Sequence, residues 1–350
     1  MVNMDWMGIS KRYNVMIEKD VEKYMAMLRI EAAKYHEFTL KVFDSLSDYS
    51  LRKGLRLASI HTIITYTGYD NEVDQNILRI CSGIEMYRHC ILLHDDIADR
   101  EDLRRGGLAF QRMFDGFNEK FGESISIFSG NIAYSLALNA ILSTDYSERK
   151  RIETLDILND DFHSVNESQM LDLLFEYKNP SVEEWYLMAR KRAASLFRTT
   201  VLIGSILGDA PVKDLPILDS AAQNIGFAFD IQDDIIDLFA SKEQYGRDPG
   251  GDLVRGKKPL HIILAVNMAG EDLVELFNRV RIKGEISSNE LETIRTRVSD
   301  CGALDKAKER TRFHIDEAQK YLGETSINDD SRRFFESMLR YISSSLDWYK

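Results

Sequence analysis

Apolar residues recur along this chain with a period near 3.6, as in Val21, Tyr24, Met25, Leu28, Ala32 and Tyr35. That spacing predicts amphipathic helices. The first proline is Pro180, and the run before it is rich in Leu, Ile, Met, Ala, Glu and Lys. Such a run reads as helix after helix. Strand signals are weak, because no alternating β-branched run is bounded by a two-residue turn. Breaks are expected near Ser47–Lys53, Gly106–Gly107, Gly116–Gly122, Asn179–Ser181, Gly208–Leu215, Gly246–Pro259, Gly270–Asp272 and Gly323–Asp330. None is a long linker. The pattern predicts a single all-α domain over residues 1–350, built from roughly ten or more helices. No solenoid period is present, although one short motif occurs twice.

Composition narrows the function. The 350 residues are 44% hydrophobic and carry a net charge of −12. A general nucleic-acid surface needs a basic footprint, so nucleic acid is not an expected partner. An anionic ligand is compatible only with local basic clusters or divalent cations. Cys81, Cys90 and Cys301 form neither a disulfide framework nor a CxxC pattern, and read as free thiols in a reducing cytoplasm. No signal peptide is evident from Met1 to Tyr13. No stretch is expected to be apolar over a bilayer's width. The expectation is a soluble, cytoplasmic protein.

The repeated motif is acidic. Asp95, Asp96 and Asp99 follow Ile91-Leu92-Leu93-His94, and Asp233, Asp234 and Asp237 follow Phe229-Asp230-Ile231-Gln232. On helices, Asp95 and Asp99 share a face, as do Asp233 and Asp237. Stacked carboxylates repel unless a cation lies among them, and hard oxygen ligands suit Mg²⁺ bridging to substrate phosphates. A lone DDxxD reads more naturally as a solvated acidic face. Here both clusters abut apolar residues, and basic loops follow each: Asp102-Leu103-Arg104-Arg105-Gly106-Gly107 after the first, and Gly246-Arg247 with Gly256-Lys257-Lys258 after the second. Arginine pairs suit bidentate phosphate contacts. An acidic cluster with a basic loop, occurring twice, points to metal-bridged diphosphate binding.

At these residues the chain resembles the trans-isoprenyl diphosphate synthases, the polyprenyl synthetase family that includes farnesyl and geranylgeranyl diphosphate synthases. The resemblance runs from about Val21 to the C-terminus. It also rests on Leu51-Arg52-Lys53-Gly54-Leu55-Arg56, Ser168-Gln169-Met170-Leu171-Asp172, Lys191 to Phe197, and Cys301-Gly302-Ala303-Leu304. It implies an isoprenoid synthase helical bundle, two clusters facing each other across a central apolar cavity, and a homodimer. Asp95, Asp99 and Asp233 would be the principal Mg²⁺ ligands, with Asp96, Asp234 and Asp237 supporting. Arg104 would grip the allylic diphosphate. Lys53, Arg56 and Arg105 would hold isopentenyl diphosphate, and Lys257 would help ionise the allylic ester. The implied reaction is head-to-tail (1'-4) condensation: the allylic C–O bond ionises, the alkene attacks the cation, and the released diphosphate takes a proton. An apolar cavity would keep water from the cation.

Several positions depart from the family pattern. Arg88 replaces a histidine and, seven residues before Asp95, lies on the same helix face and can bind phosphate. Arg192 and Ala193 replace lysine and threonine, and Arg247 replaces a lysine. Asn131 replaces an aspartate and is expected to pack. Asp230 stands where glutamine is usual, which puts three carboxylates at i, i+3 and i+7. It reads either as an ionised group assisting the metal or the cation, or as a tolerated substitution. Tyr87, Cys90 and Ile91 occupy the positions that shape the cavity floor in the family. The absence of an aromatic at the two nearest predicts a product longer than farnesyl, geranylgeranyl diphosphate first.

Three rivals accompany this reading. A terpene cyclase would carry an Asn-Ser-Glu metal motif and lack the Arg104-Arg105 pair. A non-catalytic subunit of a heteromeric synthase would not need the clustered charge of both motifs. A longer-chain polyprenyl diphosphate synthase would share every motif.

Overall fold

A computed structural model describes residues 6–245 and 247–346. The helices are α1 (Trp6–Tyr35), α2 (Glu37–Leu51), α3 (Leu57–Thr67), α4 (Gln75–Ala98), α5 (Glu119–Leu142), α6 (Glu148–Phe175), α7 (Val182–Lys191), α8 (Ala193–Leu207), α9 (Leu215–Phe239), α10 (Lys242–Tyr245), α11 (Gly251–Arg255), α12 (Leu260–Ala269), α13 (Glu271–Lys283), α14 (Ser288–Asp300), α15 (Ala303–Glu324) and α16 (Asp329–Ser344). Between α4 and α5 lie a hairpin, β1 (Leu103–Arg104) with β2 (Gly107–Leu108), and a 3-10 turn at Gln111–Phe114. The architecture is all-α, as expected. The hairpin escaped sequence reading because each strand is two residues long, too short for alternation to register.

The chain forms two compact units, residues 1–156 with 203–210 and residues 157–202 with 211–350. In the first unit α4 packs along α5. Small residues permit this approach: a Cβ on Gly83 would lie 3.0 Å from the Ala137 carbonyl oxygen, and one on Gly130 would lie 2.3 Å from His94 Nε2. Asp74 caps α4 by accepting from the Ile77 N–H at 2.9 Å, and Asn118 caps α5 from Phe121 at 2.9 Å. These side chains satisfy amides that the first helical turn leaves unpaired.

In the second unit α9 packs along α15, with Ala221, Ala222, Ile225 and Ala228 buried on α9. The expected break at Asn179–Ser181 coincides with a cap, Ser181 forming a capping box with Glu184; Ser287 forms another with Glu290, where no break is expected.

Two expectations are corrected. Helix α5 is long and apolar enough to cross a membrane, with 24 residues and a mean hydropathy of 1.5 in its most apolar stretch. Only 44% of that stretch is buried; packing against α4 covers part of it, while Ile127, Phe128, Ile132 and Leu142 stay exposed. Asn131, expected to pack, is exposed on α5.

Candidate active site

In the first unit, Asp95 lies on the last turn of α4, and Asp99 follows directly as its C-cap, its N–H donating to the Asp95 carbonyl at 2.8 Å. Their i, i+4 spacing is that of residues sharing a helix face. Asp96 behaves differently. Tyr49 donates to its Oδ2 at 2.6 Å, Arg104 Nε donates to Oδ1 at 2.7 Å, and Arg104 Nη2 binds the same oxygen. With no exposure and both oxygens engaged, Asp96 serves here as the anchor of Arg104 and not as an open ligand. Arg104 Nη2 also lies 3.6 Å from Asp95 Oδ2.

Residues 51–56 and residues 102–107 meet in this unit. Arg105 and Gly106, with φ of 51° and 79°, form the two-residue turn of the hairpin, the left-handed pairing that a tight hairpin favours. Arg52 Nη1 fastens the hairpin, donating to the Leu108 carbonyl at 2.7 Å and the Arg104 carbonyl at 3.1 Å. The Arg105 guanidinium then lies against Gly54, where a Cβ would sit 3.0 Å from its central carbon. Lys53 is exposed.

Arg56 is only 2% exposed. It donates to Glu85 Oε2 at 2.8 Å, to the Ser50 carbonyl at 3.1 Å and to Glu18 Oε1 at 3.2 Å. Expected at isopentenyl diphosphate, its guanidinium is committed to protein partners in this structure. Arg105 is held down to about 10 by burial and by Arg88. Arg88 Nε and Arg105 Nη1 are buried without a hydrogen-bond partner. Burying such donors unpaired is costly, and a bound anion would relieve it. His89 is buried and neutral, pushed down to about 3 by desolvation. Of the residues expected to shape the cavity floor, Tyr87 and Cys90 are fully buried and Ile91 is half-buried.

In the second unit, Asp230, Asp233, Asp234 and Asp237 all lie on α9. Arg192 Nη2 donates to Asp230 Oδ2 at 2.9 Å and lies 3.8 Å from Asp234 Oδ1, and Nη1 reaches Asp172 Oδ1 at 3.4 Å. Lys257 Nζ lies 3.1 Å from Asp172 Oδ2. Tyr245 donates to Asp237 Oδ1 at 3.2 Å, and the Asp252 N–H donates to Asp237 Oδ2 at 3.2 Å. Burial, then the Asp252 charge, pushes Asp237 up to about 7. Asp234 is raised well above the carboxylate range by burial, against the pull of Arg192. Arg247 is exposed and stacks over the Tyr245 ring at 4.5 Å. Gly246 lies outside the described residues.

Five residues of these sites were missed as functional in the sequence. Asp172 ends the Ser168-Gln169-Met170-Leu171-Asp172 segment on α6, and Asp252 lies between Arg247 and Lys257, where a carboxylate among basic residues was the available signal. Tyr245, eight residues from Asp237, left no distinguishing pattern. Tyr49 and Glu85 could not be found, because their partners lie 47 and 29 residues away.

Among the described residues, no three His, Cys, Asp or Glu side chains converge as a formed metal site. The second cluster nonetheless fits a divalent cation. Asp234 Oδ2 is buried with no hydrogen-bond partner, and Arg192 stands among the carboxylates where cationic charge is needed. Hard carboxylate oxygens of this kind suit Mg²⁺.

Comparison with known proteins gives a consistent picture. The polyprenyl synthetase family model matches residues 40–296. A short chain isoprenyl diphosphate synthase of Methanocaldococcus jannaschii is 29% identical over 73% of this chain and 76% of its own. A geranylfarnesyl diphosphate synthase of Aeropyrum pernix is 27% identical over 85% of this chain and 94% of its own. A geranylgeranyl pyrophosphate synthase from Corynebacterium glutamicum, solved with isoprenyl diphosphate and magnesium, has a TM-score of 0.88 at 20% identity, covering 95% of this chain and 98% of that one. The last likeness speaks for the all-α isoprenoid synthase fold. With the family match spanning both aspartate clusters and the basic segment beside each, the chain belongs to the polyprenyl synthetase family of chain-elongating trans-prenyltransferases.

Proposed function

We propose that the protein condenses isopentenyl diphosphate with an allylic diphosphate, that it depends on Mg²⁺, and that its principal product is geranylgeranyl diphosphate. The observation that carries this reading is the buried, unpartnered Arg88 Nε and Arg105 Nη1. These two buried guanidinium groups act on each other electrostatically and supply the local positive charge that a phosphate-sized anion needs in a protein of net charge −12. Among similar proteins three are named geranylgeranyl and two geranylfarnesyl diphosphate synthases, which supports a product longer than farnesyl.

In this reading Arg88, Arg105 and Lys53 orient isopentenyl diphosphate, while Arg56 supports them from its ion pair with Glu85. Arg104, braced by Asp96 and Tyr49, presents its guanidinium to the allylic diphosphate. Arg192 and Lys257, poised on Asp172, would bind a diphosphate in the second unit, with Arg247 exposed nearby in sequence. Asp95, Asp99, Asp233, Asp234 and Asp237 would hold Mg²⁺, which when bound neutralises the leaving diphosphate. Tyr87, with Cys90 and Ile91, would bound the growing chain. Both units would act together as one catalytic domain over residues 1–350.

Helix α5 also exposes Ile127, Phe128, Ile132 and Leu142. Contiguous exposed apolar side chains mark association surfaces, which supports a homodimer, testable by light scattering on the purified protein.

The deciding experiment incubates the purified protein alone with isopentenyl diphosphate, an allylic diphosphate and Mg²⁺, with products read by chromatography. A C20 product that disappears with EDTA is expected. No product from the chain alone would favour the non-catalytic subunit, and a longer product would favour the polyprenyl synthase.

A further inference from the structure

Arg192 and Asp230 both depart from the pattern the chain resembles, and the structure puts them in contact at 2.9 Å. The backbone builds that contact. Arg192 sits at the break between α7 and α8, with φ of −96° and ψ of −105°, which turns its side chain away from the line of either helix. Gly226, one turn before Asp230 on α9, has no room for a side chain, since a Cβ there would lie 2.3 Å from Ala194 Cα. The close approach of α9 to the start of α8 sets the guanidinium beside Asp230, with Asp172 and Asp234 at 3.4 and 3.8 Å. Arg192 and the Lys257 ammonium, which lies 3.1 Å from Asp172 Oδ2, face three carboxylates, and Asp234 Oδ2 keeps no hydrogen-bond partner.

We propose that Arg192 is the built-in monovalent counter-ion of the second carboxylate cluster, tethered by Asp230, and that a divalent cation binds by driving it off Asp234 and Asp172 onto Asp230. The inference rests on the reading that this cluster takes a divalent cation. Asp230 is then a positioning residue: it receives the displaced guanidinium and keeps it beside the cation. Without Asp230 the arginine has nowhere to withdraw and competes harder for Asp172 and Asp234. A cation and a guanidinium sharing carboxylates exclude each other by ordinary Coulomb repulsion. Cation affinity is therefore set by where Arg192 can go.

The test is a double-mutant cycle on Mn²⁺ binding without substrate, read from the free-ion EPR signal in wild type, Arg192→Gln, Asp230→Gln and the double variant. The first cluster is unchanged in all four chains and cancels from the comparison. Arg192→Gln is expected to tighten Mn²⁺ about tenfold, equivalent to about 1.4 kcal/mol. Asp230→Gln is expected to weaken it about fivefold in the presence of Arg192 and about twofold or less in its absence, a coupling that long-range charge alone does not produce. Arg192→Gln should also lower the metal-free Tm and regain it on adding Mn²⁺. If that chain does not fold without the ion, Mn²⁺ must restore folding, and failure to do so counts against the proposal. Equal Mn²⁺ affinity in wild type and Arg192→Gln, or an equal cost of Asp230→Gln in both backgrounds, overturns this inference alone. A wild type that binds no Mn²⁺ and makes no product overturns the functional reading with it.

Discussion

Tyr49 donates its phenol proton to Asp96 Oδ2 at 2.6 Å, while Arg104 closes on the other oxygen of the same carboxylate. Three residues from three elements, α2, α4 and the hairpin, thus form one buried unit. Burial, and then the Asp96 charge, push the Tyr49 phenol far above its ordinary range, so it stays a donor at any working pH. Asp96 in turn keeps Arg104 from relaxing into solvent.

Tyr49→Phe tests this arrangement. It leaves the Asp96 Oδ2 acceptor buried without a donor, a change worth about 2 kcal/mol. Thermal melting should show a Tm lower by several degrees. Steady-state kinetics should show a raised KM for the allylic substrate with a smaller change for isopentenyl diphosphate. Equal effects on both would mean that Tyr49 does not act through Arg104.

Gly54 is the second point of leverage. Its missing side chain is the space that Arg105 occupies, and an alanine Cβ would meet three guanidinium atoms at 3.0 to 3.3 Å. The guanidinium is the flexible end of a long side chain, so it moves before the backbone does. Gly54→Ala should therefore change Tm by little while raising the KM for isopentenyl diphosphate about tenfold, the cost of displacing a charge-assisted contact of about 1.5 kcal/mol. An unchanged KM would remove Arg105 from that site.

Helical periodicity and the break at Ser181 are legible in the sequence because each is local, and the capping partner of Ser181, Glu184, lies only three residues on. The aspartate spacing was legible for the same reason. What each charged residue faces was not. Arg56 looked like a phosphate ligand until Glu85 appeared beneath it, and Asp96 looked like its neighbours until Tyr49 did. Asp230 and Arg192 each read as an isolated substitution, and 38 residues of sequence separate them. Long-range pairing decides which charges of a motif remain available to a ligand.

His314 predicts an acid-side loss of stability. Its Nδ1 lies 2.7 Å from Asn224 Oδ1 and its Nε2 lies 3.0 Å from the Tyr186 hydroxyl. Asn224 Oδ1 can only accept, so Nδ1 carries the proton and Nε2 accepts from the phenol of Tyr186. Burial, with Arg310 nearby, pushes its pKa down from 6.5 to about 4. A depressed histidine is neutral in the fold and protonated in the unfolded chain between those values. Its contribution is therefore full above pH 6.5 and is lost as pH falls toward 4, by up to about 3 kcal/mol. Chemical denaturation of His314→Gln across that window should show a slope shallower by up to one proton. A slope identical to wild type would mean that other groups carry the acid sensitivity.

Tyr87 is fully buried on α4, and its ring centroid lies 6.2 Å from that of Tyr134 on α5. Cys90, one turn further along α4, is also fully buried. Both tyrosines belong to the first unit, so together they can close the space below Ile91 with two tilted rings. Removing one ring opens room for a longer chain, at a packing cost of about 3–4 kcal/mol for a large aromatic truncated to alanine. Tyr87→Ala should extend the product by at least one C5 unit while lowering Tm, as read by chromatography and melting of the same preparation. Tyr134→Ala should shift the product in the same direction, because half of the proposed floor is its ring. Lower stability with an unchanged product in both variants would make the pair a packing contact and place the floor elsewhere.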